Sequence, residues 1–180
     1  MKPIVHVPNP VLTTPAQTVD FFNRQLTKLI DEMTHSLLSA TNPKGVGLAA
    51  PQIGEPYRIF ITKHHPDAPI KIFINPEIIK LSVQMVDGVP DRKNGLEGCL
   101  SIPKIWGRVR RAKAITLRYQ DEKRLWHETS FKGFEAVIVQ HETDHINGIL
   151  YTQRVLEQKG KLYQASKDKD GKEVLEEIVI

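Results

Sequence analysis

Hydrophobic positions along this chain follow two periods, and the places where one gives way to the other mark its elements. Phe22, Leu26, Leu29, Ile30, Met33, Leu37 and Leu38 recur at three- and four-residue steps, the spacing of one helix face. They predict a long amphipathic helix packed on the core, with Asp20 as its N-cap and Asn42-Pro43 as its end. The segment "PKGVGLAAPQIG" (43–54) is punctuated by Gly and Pro and is expected to be a loop. Beyond it "RIFIT" (58–62), "IKIFIN" (70–75) and "EIIKLSVQMV" (77–86) are β-rich, and "KAITLRYQ" and "LWHETSF" flank the polar turn "DEKR" as a hairpin. A second helix is predicted from about Gly133. Phe134, Ile138, His141, His145 and Gly148 or Ile149 fall on one of its faces, with Gly148 placed for a left-handed C-terminus. The β-branched "AVIV" within it could pass for a strand, but the charged helical repeat that follows decides for a buried helix. A short strand, "EVLEEIVI", is expected at the end, and the residues from 156 to 180 are otherwise only weakly assigned. Strands with helices at both ends indicate an α+β fold.

Composition adds limits. The 180 residues contain no internal repeat and no linker, which suits a single domain spanning 1–180. A formal charge of +4 is too small and too evenly spread to argue for nucleic-acid binding. The densest basic stretch, "KIWGRVRRAK", is expected to be a solvated rim. Cys99 is the one cysteine, so no intrachain disulfide can form and a reducing compartment is favoured. "MKPIVHVPNPVL", broken by three prolines, has no apolar core of signal-peptide length, and no run approaches the ~18 apolar residues of a spanning helix. A cytoplasmic protein of bacterial type is expected, with an organelle remaining open, and a monomer is the default.

The chemistry lies in "QHETDH". Histidines at i and i+4 project from one helix face and can reach a single ion. Glu142, rotated about 100° from His141, can lean toward a water on that ion and take its proton. Such catalytic sites use three protein ligands and keep one position open. The longer peptidase signature H-E-x-x-H-x-x-G-x-x-H is matched through Gly148 but meets Tyr151 instead of a third histidine. Glu157 is too close to serve as the downstream glutamate of the other peptidase type. The remaining candidate is Cys99 in "GLEGCLSIP", where Gly95 and Gly98 let backbone and sulfur come close to another group.

"GVGLAAPQ" (45–52), "EGCLS" (97–101) and "QHETDH" (140–145) resemble, in order, the three signature segments of the peptide deformylases. "INPEI" (74–78) and "GFEAVIVQHE" strengthen the likeness, which runs from about residue 5 to 155. The resemblance implies removal of the formyl group from the N-terminal formyl-methionine of nascent chains. It also implies a fold of mixed, mostly antiparallel sheets around a central helix carrying H-E-x-x-H, beside the N-terminal amphipathic helix. Position by position, Cys99, His141 and His145 match metal ligands, Glu142 the general acid/base, and Gln52 and the Leu100 N–H the donors to the formyl oxygen. The implied cofactor is one divalent ion, Fe²⁺ first, with Zn²⁺, Ni²⁺ or Co²⁺ able to replace it. Val46, Glu97, Phe134, Val137 and Ile138 occupy family positions around a methionine pocket. The glycines of "GVG", Gly47 among them, and Gly98 leave backbone open for a peptide to pair as an added strand. Partners would be formyl-methionyl peptides and nascent chains, with a transient ribosome contact, no specific nucleic acid and no membrane. Two features depart from the pattern. Trp106 stands where a smaller or basic residue is common, and Gln153 where an acid is common. An H-E-x-x-H peptidase and a catalytically silent binder of nascent chains are the alternatives.

Overall fold

The computed structural model describes residues 2–41, 44–90 and 92–179. The first helix, α1, runs from Arg24 to Ser39. Its N-cap is Asn23 rather than Asp20, because the Asn23 side chain accepts from the Gln25 N–H at 2.8 Å. The Asn42-Pro43 stop lies outside the described residues. Of the predicted face, Leu26, Leu29, Ile30, Met33 and Leu37 are buried, while Leu38 is exposed beside the stripe.

The segment expected to be a loop folds instead into a short strand, β1 (Gly47–Ala49), and one 3₁₀ turn over Ala50–Ile53. β2 (Ile59–Thr62) follows as expected. The next two predicted strands are largely one: β3 (Lys71–Leu81) passes through Asn75-Pro76. Pro76 has no N–H to offer a ladder, and the pairing register shifts between Ile74 and Glu77 to accommodate it. Asn75, at φ +50°, offsets the break with side-chain hydrogen bonds to Val19 N–H (2.8 Å), Val19 C=O (2.9 Å) and Gln120 (2.8 Å). β4 (Met85–Asp87), β5 (Glu97–Cys99), β6 (Ile102–Gly107) and β7 (Arg110–Ala112) are short. The hairpin is β8 (Ala114–Gln120) and β9 (Trp126–Lys132), and it leads into α2 (Gly133–Ile146). Gly148 has the left-handed φ of +72° expected beyond that helix. The tail holds α3 (Tyr151–Glu157) and a second hairpin, β10 (Leu162–Lys167) with β11 (Glu173–Ile178).

The strands form sheets in the orders β1-β2-β3-β8-β9, β11-β10-β6-β5 and β4-β7. Every pairing between these strands is antiparallel, so the sheets are less mixed than expected. One core lies between α1 and the first sheet, where Leu26, Ile30 and Met33 join Leu48, Ile59 and Ile74. A second joins that sheet to α2 through Phe60, Phe73, Phe131, Ala136 and Val139. A third places Cys99 with Tyr151, Val155 and Leu162. In helix α2 every residue from Ala136 to Ile146 is buried. Phe73 touches the rings of Phe60, Tyr119 and Phe131, at centroid distances of 4.8, 4.8 and 5.8 Å. Phe73→Ala is expected to lower the unfolding free energy by about 3–5 kcal/mol in denaturant titration; a loss below about 1 kcal/mol would show that the cluster closes over the gap.

Candidate metal centre

Helix α2 and strand β5 build the site from opposite sides. The Cys99 sulfur and the ring nitrogens of His141 and His145 lie within 4.8 Å of one another. Cys99 Sγ is 3.1 Å from His145 Nε2. The Nδ1 of His141 is engaged at 2.9 Å by Glu97 Oε2, which leaves its Nε2 for the site. Tyr151, the residue found where a peptidase would have a third histidine, stacks on the His141 ring and donates its hydroxyl to the Ile105 carbonyl at 2.8 Å. It braces helix α2 at His141.

The two imidazoles are shifted in opposite directions. Burial opposes a charge on His141, yet the Cys99 sulfur and the Glu97 carboxylate pull its pKa well above the ordinary imidazole value. His145 goes the other way, since burial and the neighbouring His141 push it well below, leaving a neutral ring with a free lone pair. The site thus offers a sulfur and two imidazoles, one of them backed by a carboxylate. Such a donor set fits a divalent metal of the first transition row.

Glu142 is 4% exposed, and its Oε2 has no hydrogen-bond partner among the described residues. Burial pushes its carboxyl up to about 7, against the pull of His141 and Arg111. Its other oxygen lies so close to Gly47 that a β-carbon there would collide with it. Gln52 is locked by the Ala49 N–H, which donates to its Oε1 at 2.9 Å, so its amide NH₂ points to Cys99 Sγ (3.4 Å) and Ser101 Oγ (3.3 Å).

One pocket connects the remaining expected residues. Val46, Gly47 and Gln52 line it together with Glu97, Gly98, Cys99 and Leu100. Phe134, Val137, Ile138, His141 and Glu142 contribute from α2, whereas His145 sits behind the lining. Trp106 lies over the face of β5 at Gly98, its ring close enough that a β-carbon there would lie 2.7 Å from it. Glu97 reaches the pocket, but its carboxylate is already bound. It accepts from Arg111 Nε at 2.6 Å and Nη2 at 2.9 Å as well as from His141. Burial by itself would raise Glu97; Arg111 and His141 outweigh it and hold the carboxyl at about 2.

Arg111 also corrects the reading of "KIWGRVRRAK" as a solvated rim: its side chain is 5% exposed and ion-paired to both Glu97 and Asp144. Sequence reasoning missed Arg111, Asp144, Val89 and Arg92 at or around the pocket. The one available signal was Glu97 itself, since a carboxylate inside an apolar segment needs a buried cation.

A family model described as polypeptide deformylase matches residues 1–161, nearly nine-tenths of the chain. The chain belongs to the polypeptide deformylase family. The peptide deformylase of Acidobacterium capsulatum is 40% identical over 159 residues, 86% of each protein. The crystal structure of peptide deformylase from Thermotoga maritima is similar with a TM-score of 0.76 and 34% identity, over 86% of this chain and 97% of that one. A class I type b peptide deformylase from Acinetobacter baumannii, crystallised with Met-Ala-Ser bound, gives a TM-score of 0.74 at 35% identity over 86% and 98%. Deformylases are metalloenzymes that remove N-formyl groups from nascent polypeptides, and this chain is one of them by membership and by its Cys/His/His cluster. The family match ends before the β10–β11 hairpin. No helix among the described residues is long and apolar enough to cross a membrane.

Proposed function

We propose that Cys99, His141 and His145 hold one divalent cation, Fe²⁺ in the cell, and that Glu142 moves the proton in deformylation of formyl-methionyl peptides. The observation that carries this reading is the convergence of the three donor atoms within 4.8 Å together with a buried carboxylate oxygen that has no partner among the described residues. When bound, the cation supplies Lewis acidity, polarising the formyl oxygen and lowering the pKa of a water toward ~7.

The chain's own groups do the rest. Glu142 accepts the proton at Oε2 and returns it to the departing amine. The Gln52 amide, fixed through Ala49, and the Leu100 N–H donate to the formyl oxygen as charge develops on it, where losing one donor costs about 3 kcal/mol. β1 and β5 are edge strands of two different sheets and both contribute to the pocket, so a peptide can pair with backbone there as an added strand. Main-chain pairing is blind to side chains, which suits an enzyme acting on many nascent chains. The apolar walls formed by Val46, Phe134, Val137 and Ile138 receive the methionine side chain, and the Met-Ala-Ser bound by the A. baumannii relative likewise begins with methionine.

The test is direct. Metal-loaded protein incubated with formyl-Met-Ala is expected to release formate, and with an internally cleavable peptide to create no new amino termini. The opposite pattern identifies a peptidase, and neither product a silent binder. Gly47→Ala is expected to cost about 100-fold in kcat/KM for formate release, because its methyl group displaces the Glu142 carboxylate. A full rate in that variant would mean that Glu142 has room to move without consequence.

A further inference from the structure

We infer that Asp144 is a positioning residue for His141, acting on that ligand across two other side chains. The inference rests on the three-ligand reading of the site. A chain of alternating charge runs through the buried interior from α3 to the metal centre. Arg154 Nη2 meets Asp144 Oδ1 at 2.7 Å, and Arg111 Nη1 meets Asp144 Oδ2 at 2.9 Å. Arg111 then grips Glu97 through two N–H groups, and Glu97 accepts from His141 Nδ1 at 2.9 Å. Glu97, Arg111 and Asp144 are 3, 5 and 7% exposed, so solvent screens these contacts little; only Arg154 is substantially open.

Arg111 is shared. One edge of its guanidinium faces Glu97 and the other faces Asp144, so Asp144 takes up part of the positive charge that would otherwise fall entirely on Glu97. The less Arg111 draws on Glu97, the better Glu97 accepts the His141 Nδ1–H, and the more basic the opposite ring nitrogen becomes toward a cation. Neutralising Asp144 therefore weakens the ligand. Arg154 works in the opposite sense, because it draws on Asp144 from the open side. Its removal leaves Asp144 wholly to Arg111.

The two variants separate this role from simple bracing. Zn²⁺ affinity is measured by chelator competition, the His141 Nδ1–H resonance by proton NMR, and thermal stability alongside. Asp144→Asn is expected to weaken Zn²⁺ binding about tenfold and to shift the Nδ1–H resonance upfield. Arg154→Ala is expected to keep or tighten the affinity and to leave the resonance in place or move it downfield. Parallel losses of affinity in both variants, tracking a fall in stability, would make the chain of charges a brace and overturn the inference; so would wild-type affinity in Asp144→Asn. If Asp144→Asn does not fold, Arg154→Ala decides alone, since weaker binding there contradicts the sign. Wild-type protein that takes up no stoichiometric Zn²⁺ overturns the three-ligand reading and this inference with it.

Discussion

Glu142→Gln is expected to bind a full equivalent of metal and to lose about 10²–10⁴-fold in kcat for formate release. The substitution keeps the shape of the side chain, so its packing against Gly47 and the helix around it stays intact. The amide nitrogen or oxygen that replaces Oε2 cannot accept and return a proton as a carboxylate does. An uncharged amide is also easier to bury at a position that is 4% exposed, so folding stability should hold or rise. Stopped-assay formate release and metal analysis on the same sample check both halves. Turnover within threefold of the parent would remove Glu142 from the proton path, whatever its placement.

Cys99→Ser is expected to fail earlier, at the metal itself. The sulfur is 4% exposed, 3.1 Å from His145 Nε2, and accepts from Gln52 at 3.4 Å. A buried hydroxyl in its place gives up its proton far less readily than a thiol, and the shorter C–O bond withdraws the donor from the two imidazoles. Metal affinity should fall by more than the ~10–100-fold that outer-shell changes typically cost. Chelator competition under anaerobic conditions measures it. Stoichiometric metal at unchanged affinity would exclude sulfur ligation and reopen the third position. The two substitutions fail differently: Glu142→Gln keeps metal and loses rate, while Cys99→Ser loses both.

Local periodicity carried the sequence reading a long way. The α1 stripe, the β8–β9 hairpin and the helix from Gly133 each have a repeat long enough to stand out, and the structure forms all three. The strands that were missed have no such repeat. β1, β5 and β7 are three residues each, too short for an alternation to show, and β6 and β10, six residues each, mix apolar and polar positions without a clean period; all are strands because neighbours pair with them. Asp20 lost the N-cap to Asn23 through a boundary error of three residues, the scale on which capping side chains compete. Arg111 is the largest misplacement. Within its own segment it is one arginine among several, and nothing local distinguishes a solvated cation from one that neutralises Glu97 and Asp144.

By itself the sequence determined the histidine pair, since residues four apart on a helix must share a face, and it named the sulfur by elimination and by resemblance. Tertiary structure decided the environment: which nitrogen of His141 faces the site, what holds Glu97, and how Asp144 and Arg154 connect to His141. Those contacts join residues 10 to 44 positions apart through strand register and helix packing. A buried charge takes whatever partner the fold brings within 3 Å, and no short stretch of sequence contains that information.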